Sequence, residues 1–504
     1  RFLTQSYGTL RRRPEMLIIQ AIVCFILFLW ILCFVIAQFL ATPAIDNKTG
    51  KLAPHRPQWP FLVKAFRGES QIPCFFEAKQ KFGGIFQGWF GHRWVISVAD
   101  PDMVKQVVTK VDLYQKASPE QIIGEMGRVF MNRNLLFANG DEWRRFRTIM
   151  NPAFHYDSLK NLIPAVQQCG QNLISRFKEE SPGPIEITNL LTKVSVDIIA
   201  MTAFGSDFKS VLSRETPDHL KALIDCVDGI QDPIFFMVPW LSRYRLFTGK
   251  FYDNAAILDK LIYSLINKVS REPTTSNLLG MMLAAAVAEK DPSKSMSFKE
   301  IRDNLVLFFI AGQDTTSVSL GYTLYALGKH PDIQTKCRAE VEKFIPSDGL
   351  PTQEQLTKLE YIDLVIKESL RMYPPAVLFP LRKLAREDPN LCGYTIPKGA
   401  FVGVAPILIH RDPKYWDSPE VFDPERFTPE RSVGRHPYAY IPFNQGPRSC
   451  IGNNFSIMEQ KIILAQILHN FDLAVPDDFK FEFSRGAPVI LHAKRIDLIM
   501  KRRT

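Results

Sequence analysis

The sequence predicts a mainly α-helical protein with a smaller β part, preceded by a single N-terminal transmembrane helix. Three observations favour this class. An apolar run near the N-terminus is long enough to cross a bilayer. A long segment has helical patterning from Ser297 and Glu300, whose spacing predicts a capping box, to terminating residues near Gly328. Patterns typical of strands are short, so most of the remaining chain is expected to be helical.

The predicted membrane anchor spans residues 16–45, which contain no Asp, Glu, Lys or Arg. Its dense apolar centre is residues 21–37, AIVCFILFLWILCFVIA. A cleaved signal peptide is the alternative, but its apolar region would be shorter and would end at a small-residue cleavage site. Lys and Arg residues flank both ends of the run in similar numbers, so the positive-inside rule does not decide its orientation.

The anchor divides the chain into four predicted parts. Residues 1–15 form an N-terminal tail, residues 16–45 the anchor, and residues 46–60 a stiff linker that contains Pro54, Pro57 and Pro60. Residues 61–504 form one catalytic unit. Length alone would suggest two or three domains, but the candidate site residues described below are spread along this whole region, which implies that it folds around one site.

The β part is predicted from a few short segments. A hairpin is expected over residues 85–98, followed by a helix that is capped by Asp100 and begins at Pro101. Further short strands are expected near residues 401–404 and 489–492.

Composition narrows the class of protein. The eight cysteines have no paired spacing, which suits a reducing compartment better than a disulfide framework. No phosphate-binding loop or dinucleotide fingerprint is visible, so the chain is not expected to take hydride from a nicotinamide cofactor itself, and no nucleic-acid partner is expected. The net charge of +10, with Arg144 and Arg145 on a predicted basic outer face, favours an acidic redox partner. His410 is expected to be structural rather than an iron ligand.

The strongest functional signal is the run FNQGPRSCIG at residues 443–452. A thiolate at Cys450 is suited to bind haem iron, where it pushes electron density toward bound oxygen. Gly446 permits a tight turn, and Gly452 lets backbone N–H groups approach the sulfur. Arg448 is suited to pair with a haem propionate, and Phe443 to shield the loop from water. The alternative is an inert buried cysteine beside a Gly/Pro turn.

A polar notch interrupts the long predicted helix and reads AGQDTT at residues 311–316. Small Ala311 and Gly312 are expected to leave room for a ligand beside the helix. Thr315 is predicted to hydrogen-bond oxygen at the iron, and Asp314 to relay protons from solvent. The alternative is a helix whose hydroxyl groups bond back to the preceding turn and whose Asp faces water.

The run FNQGPRSCIG resembles the signature of the cytochrome P-450 family, and AGQDTT is similar to the acid and alcohol pair of that family. The segments AGQDTT, ESLR, PERF and FNQGPRSCIG follow one another at separations typical of the family. The resemblance implies the cytochrome P-450 fold. It implies a buried ion network of Glu368, Arg371 and Arg426 that fixes the loop below the haem. It also implies that the propionates are held by four residues: Trp143, Arg147, Arg382 and Arg448.

The resemblance further implies a monooxygenase that inserts one atom of O2 into a lipophilic substrate, by hydroxylation or epoxidation. The cofactor would be haem b, non-covalent apart from the bond from Cys450 to iron, because Ala311 stands where one related group carries the glutamate that ties its haem covalently. Electrons would come from NADPH through a separate flavoprotein reductase, or from a cytochrome b-type donor. The anchor would lie in the endoplasmic reticulum membrane, with the catalytic domain in the cytosol.

The substrate is the least determined part of this interpretation. By family analogy, the pocket would be lined by residues 116–134, 308–316 and 376–380, which are mostly apolar and favour a lipophile. Residues 234–252 combine aromatic and Arg side chains and are either a membrane-surface segment or a buried connection. Two other classes remain open: a haem-thiolate isomerase or dehydratase of lipid peroxides, and a membrane haem protein that senses or carries a gas or a sterol. The polar notch argues against both.

Overall fold

A computed structural model describes residues 41–56, 64, 69–180, 183–215, 217–272, 274, 276–288, 291, 295–346, 350–484 and 489–503. The predicted N-terminal tail and residues 16–40 of the predicted anchor lie outside the described residues, as do residues 57–60 of the predicted linker.

Helices dominate the described residues, as the sequence predicts. They are α1 (Ile72–Phe82), α2 (Pro101–Thr109), α3 (Pro119–Ile123), α4 (Glu125–Phe130), α5 (Gly140–Met150), α6 (Tyr156–Leu159), α7 (Ile163–Glu180), α8 (Ile187–Phe204), α9 (Asp218–Gln231), α10 (Pro233–Met237), α11 (Arg245–Arg271), α12 (Leu278–Ala288), α13 (Phe298–Lys329), α14 (Pro331–Phe344), α15 (Gln353–Thr357), α16 (Glu360–Met372), α17 (Pro406–His410), α18 (Pro429–Ser432) and α19 (Asn453–Asn470). Single 3-10 turns include Pro239–Arg243, Pro424–Phe427 and Gly446–Arg448.

The strands form small sheets beside the helices. They are β1 (Ile45–Asp46), β2 (Ile85–Phe90), β3 (Arg93–Val98), β4 (Tyr114–Lys116), β5 (Pro184–Glu186), β6 (Arg382–Leu384), β7 (Asp388–Leu391), β8 (Tyr394–Ile396), β9 (Phe401–Val404), β10 (Phe471–Ala474) and β11 (Asp497–Arg502). The largest described sheet has the order β2-β3-β9-β6-β4, in which β3 and β9 are parallel and the other pairs antiparallel.

Most of the predicted local structure is confirmed. The hairpin is β2 and β3, and the strand at residues 401–404 is β9. The Asp100 carboxylate accepts hydrogen bonds from the backbone N–H groups of Asp102 and Met103 and so caps α2. The strand predicted at residues 489–492 is wrong in extent, because pairing there is a single antiparallel bridge between Ile490 and Ala376.

Helix α13 crosses the centre of the fold. The predicted capping box is confirmed: Ser297 Oγ accepts from the Glu300 N–H at 3.3 Å, and Glu300 Oε2 accepts from the Ser297 N–H at 2.9 Å. Between its ends, α13 is buried or half-buried at every position except the exposed Ala311, and it packs closely along α8. A helix buried on all sides places any exposed residue along it against an internal space, and this property identifies the site described below.

Residues 46–56 do not form the stiff linker that their prolines predict. Residues 43–504 are one compact unit, and β1 at its start pairs with β8. The Gln87 N–H donates to Pro54 O at 2.9 Å, and Arg56 Nη2 donates to Trp89 O at 2.6 Å. Because strand β2 offers unpaired backbone groups to this segment, the segment is held against the sheet and becomes part of the fold.

Within the described residues, α8 is the helix that is long and apolar enough to cross a membrane. Its apolar window is 78% buried inside the protein, between α7 and α13. Such burial is typical of a core helix, so α8 is part of the catalytic core.

Candidate functional site

The segment at residues 443–450 is a tight loop built by local backbone geometry. Gly446 has a φ of +75°, and a Cβ there would lie 3.2 Å from Val108 O, so glycine is required both for the turn and for the close approach to α2. The Cys450 N–H donates to Phe443 O at 2.8 Å and closes the loop. Asn444, with a φ of +60°, donates from Nδ2 to Arg448 O at 3.2 Å. The loop therefore presents Cys450 immediately before the start of α19.

The Cys450 side chain faces an internal space rather than bulk solvent. Its surface is exposed, yet burial raises the pKa of its thiol, and the two observations agree only if the exposed surface lies inside the protein. The Gly452 N–H and the Arg147 charge act in the opposite direction and lower that pKa. A Cβ built on Gly452 would lie 3.9 Å from the sulfur, an ordinary contact, so this sulfur does not itself require glycine at 452.

Four cations surround the same space. Lys116 and Arg382 are buried, opposite each other on the paired strands β4 and β6, and Arg147 and Arg448 are half-buried. Burial lowers the pKa of Arg448 to about 9 and that of Arg382 to about 10, and it lowers the pKa of Lys116 well below its ordinary value. Within the described part of the chain, none of the four forms a salt bridge with a carboxylate.

Unpaired cations at such positions are costly, by several kcal/mol for each fully buried ion, unless an anionic ligand accompanies them. A haem carries two propionates, so the cation cluster and the accessible thiol fit the two ends of one haem. The sequence placed Lys116 in the predicted pocket lining but did not identify it as a cation of this cluster, because the three-residue strand β4 carries no local signal. The register of β4 with β6 is what places it beside Arg382.

Asn139 organises this cluster and was also missed. Its Oδ1 accepts from the Lys116 N–H at 2.8 Å and from Arg448 Nη2 at 3.2 Å, and its Nδ2 donates to Lys116 O at 3.0 Å. Arg448 also donates to Ala138 O at 2.6 Å. The Arg448 guanidinium lies over the Trp143 ring at 4.2 Å, so Trp143 supports that arginine directly.

The remaining predicted cations are held by backbone carbonyl groups. Arg147 Nη1 donates to Ser449 O at 2.9 Å, which ties α5 to the Cys450 loop. Arg382 Nη1 donates to Tyr114 O at 3.0 Å. These bonds fix the guanidinium groups and leave other N–H donors of each group available for an anion.

The notch of α13 lies beside α19, the helix that follows Cys450, because Thr316 Oγ1 lies 3.3 Å from Ser456 Oγ. Ala311 is exposed in the middle of an otherwise buried helix, and Thr315, one turn later, is half-buried. Thr315 Oγ1 donates to Ala311 O at 2.7 Å, which is the back-bonded alternative considered above. The same alternative also requires Asp314 to face water, and this part is wrong. Asp314 is buried, and its Oδ1 lies 3.3 Å from His492 Nε2.

Gly312 does not leave room for a ligand, contrary to the prediction. A Cβ at this position would lie 2.5 Å from Ile199 Cδ1, so this glycine permits the close packing of α13 on α8. Ala311 alone of the two small residues borders the internal space.

The residues Glu368, Arg371 and Arg426 form one buried network. Arg371 Nε and Nη2 donate to the two Glu368 oxygens at 2.7 and 2.8 Å, and Arg426 Nε lies 3.3 Å from Glu368 Oε1. The Asp423 N–H donates to the same oxygen at 2.9 Å, and both arginines donate to Val421 O. The network therefore ties α16 to the segment at residues 417–426.

Two further predictions are resolved by contacts. Arg145 is not on a solvated basic face, because its Nη2 lies 2.6 Å from Glu300 Oε1 and its side chain is 17% exposed. Arg144 does lie at the surface, paired with Asp112 and Asp141. His410 is buried, and its Nε2 accepts from the Ile441 N–H at 2.9 Å, while burial lowers its pKa to about 3. A neutral, hydrogen-bonded imidazole is suited to a structural role.

An accessible cysteine just before a helix, a cluster of buried and half-buried cations without a carboxylate partner among the described residues, and a notched helix beside the cysteine's helix define a haem-thiolate protein. The comparisons with known proteins agree. Residues 54–500 match the family model described as Cytochrome P450. The chain belongs to the cytochrome P450 family. It is therefore a haem-dependent monooxygenase of lipophilic substrates that uses a redox partner.

Similar proteins include cytochrome P450 3A12 of Canis lupus familiaris, 32% identical over 79% of this chain and 80% of the relative. Lithocholate 6-beta-hydroxylase of Mesocricetus auratus is 32% identical over 82% of this chain and 83% of the relative. Among solved structures, the haem domain of cytochrome P450DA is 26% identical, covers 90% of this chain and 97% of its own, and superposes with a TM-score of 0.79. These matches confirm the predicted mainly helical P-450 fold.

Proposed function

We propose that this chain is a membrane-anchored monooxygenase that hydroxylates or epoxidises a lipophile with electrons from NADPH, delivered by a separate flavoprotein reductase or a cytochrome b-type donor. The observation that carries the proposal is the combination of an accessible Cys450 with four cations that have no carboxylate partner in the described part of the chain. Haem, when bound, supplies the activation of O2, and a thiolate ligand favours O–O cleavage.

In this proposal, the chain's own residues divide the remaining work. Cys450 is the iron ligand, within a loop closed by Phe443. Arg147, Arg382 and Arg448 hold the propionates, with Trp143 supporting Arg448 and Lys116 as a fourth cation. Ala311 leaves room for the ligand and, having no carboxyl group, cannot form an ester with it, so haem is held non-covalently apart from the Cys450 bond. Gly452 contributes an N–H near the sulfur.

Asp314 and Thr315 are proposed to manage protons on the α13 side of the space. Thr315 is half-buried, and the buried Asp314 immediately precedes it on α13. A carboxylate and a hydroxyl are groups that can take up and release protons, whereas a fully apolar helix would offer no group for this transfer. Glu368, Arg371 and Arg426 are proposed to act at a distance, by fixing the polypeptide that leads to the Cys450 loop.

Membrane association is supported by one exposed segment. Residues 240–247 carry the exposed side chains Trp240, Tyr244, Leu246 and Phe247, of which Leu246 is 88% exposed. Arg243 and Arg245 stand beside them. Aromatic and apolar side chains next to arginines are suited to a membrane interface, so this segment and the predicted anchor are proposed to lie at the endoplasmic reticulum membrane.

The electron donor is proposed to dock where the Cys450 loop approaches the surface. A groove of about 560 Å³ there is lined by Phe443, Gln445 and Asn453, and by Lys367 and Lys461 among others. Both lysines share one partner, Asp363, so the pair keeps a net positive charge that suits an acidic protein.

The proposed function is tested by two measurements on the purified protein. The dithionite-reduced protein should show a strongly red-shifted Soret band with carbon monoxide, because the Cys450 thiolate would ligate the haem iron. Product from a panel of lithocholate, n-hexylbenzene and a long-chain fatty acid should require NADPH, reductase and O2 together. Isomerisation of a lipid peroxide without these additions, or tight gas binding with no turnover, would instead support one of the two rival classes.

Replacing Thr315 with alanine is expected to leave haem bound and to divert electrons from product to peroxide. Product formed per NADPH should fall roughly tenfold, less than the about 100-fold that a positioned proton-transfer group commonly contributes. Thr316→Ala is the matched control, because Thr316 is buried against Ser456, with 3.3 Å between the two oxygens. An unchanged ratio of product to NADPH in the Thr315 variant would contradict the assigned role.

A further inference from the structure

The contact between Asp314 and His492 joins the notch of α13 to the C-terminal part of the chain. His492 Nε2 lies 3.3 Å from Asp314 Oδ1. The Asp314 side chain is 9% exposed and that of His492 is 30% exposed. The histidine is therefore the more accessible member of the pair.

His492 is itself held firmly by backbone hydrogen bonds. The Leu491 N–H donates to Pro375 O at 2.8 Å, and the Ser484 N–H donates to His492 O at 2.7 Å. The bridge between Ile490 and Ala376 lies beside these bonds. The imidazole thus projects from a fixed backbone toward α13, and it restricts the rotamers that the Asp314 side chain can adopt.

A third charged residue faces the pair from another helix. Asp228, on α9, is exposed and forms no hydrogen bond or ion pair with another described residue. Burial lowers the pKa of His492, but the hydrogen bond and charge of Asp314 and the charge of Asp228 outweigh it, so the pKa of His492 is raised above 6.5. In turn, partial desolvation by neighbouring groups raises the pKa of Asp228, and the charge of His492 opposes that change.

We propose that His492 is a positioning residue of this monooxygenase: its imidazolium holds the Asp314 carboxylate in the orientation from which Asp314 serves Thr315, so that coupling of electron use to product depends on the charge of His492. The inference rests on the proposed function, because it assigns a supporting residue to the Asp314 and Thr315 pair. Asp228 acts on the same device only through its charge, by favouring the protonated imidazole.

The first test is the ratio of product to NADPH between pH 6 and pH 9, measured with the panel member that is turned over fastest. In the unchanged protein the ratio should fall as the pH rises through the pKa of His492 in the folded state. His492→Gln, which keeps a hydrogen-bond donor but cannot be charged, should give a ratio at least about threefold lower at pH 6 and independent of pH. A profile that keeps its pH dependence in this variant would overturn the proposal.

The second variant separates positioning from a merely structural role. Asp228→Asn removes a negative charge that favours imidazolium, so the midpoint of the pH profile should move to lower pH while the ratio at pH 6 changes little. Asp225→Asn is the matched control, since Asp225 lies one turn earlier on α9 and already binds Lys250 at 3.0 Å and Asn254 at 3.1 Å. If the pH profiles of the Asp228 and Asp225 variants have the same midpoint, the proposal is wrong.

A measurement independent of turnover completes the test. A raised pKa in the folded state stabilises the protein at pH values below the unfolded value of about 6.5, and this contribution is lost as the pH rises through the folded pKa. The urea midpoint of the unchanged protein should therefore exceed that of His492→Gln more at pH 6 than at pH 9. If no lipophile is oxidised at all, the proposed function fails. If the two proteins differ in urea midpoint by the same amount at pH 6 and pH 9, the charged pair of His492 and Asp314 is absent and the proposal about His492 fails.

Discussion

Replacing Cys450 with serine is expected to abolish both the red-shifted carbon monoxide band and monooxygenation. Serine has nearly the same shape, so the loop closed by the Cys450 N–H and Phe443 O should persist. Its hydroxyl, however, is not ionised near neutral pH and does not push electron density to iron as a thiolate does. The measurement is the reduced carbon monoxide spectrum, followed by product formation with NADPH, reductase and O2.

The matched control for this variant is Cys392→Ser. Cys392 is also an exposed free cysteine, but it lies at the turn between β7 and β8, where its sulfur contacts Gln106 Nε2 at 3.0 Å. This second variant should keep the band and the activity of the unchanged protein. Retention of the red-shifted band in the Cys450 variant would mean that another residue is the ligand, and the assignment of the whole site would have to be abandoned.

Replacing Glu368 with glutamine is expected to cause the largest loss of stability. The carboxylate is fully buried and compensates the charges of Arg371 and Arg426. Removing one partner of a buried ion network commonly costs about 3–5 kcal/mol, because the remaining charges stay buried without compensation. The segment at residues 417–426 should then loosen, and haem retention should fall with it. The measurements are the urea midpoint and the amount of haem bound per chain after gel filtration.

Glu354→Gln provides the comparison for that prediction. Glu354 is exposed on α15 and pairs with Lys358 at 2.9 Å across one helical turn. Water and salt screen a surface pair of this kind, so the urea midpoint should hardly change. Equal effects of the two substitutions would show that the Glu368 network does not hold the fold in the way its contacts indicate.

Local residue patterns were enough to predict those elements that are formed by residues close together in the sequence. The capping box at Ser297 and Glu300, the cap of α2 at Asp100 and the hairpin of β2 and β3 all arise from contacts within a few positions. The turn at Gly446 is equally local. Because backbone geometry and hydrogen bonds over such short separations are fixed by residue type, these elements and the class of site were predictable.

Other features required the tertiary structure, because each joins residues far apart in the chain. Lys116 lies beside Arg382 only because of the register of β4 and β6. Arg145 is not at the predicted basic surface because it forms an ion pair with Glu300. Gly312 serves the packing of α13 on Ile199 rather than a ligand. The pairing of Asp314 with His492 likewise bridges distant segments. Such contacts depend on how the shapes of distant segments pack together and on the need to compensate buried charge. Neither can be predicted from the residue pattern of one segment.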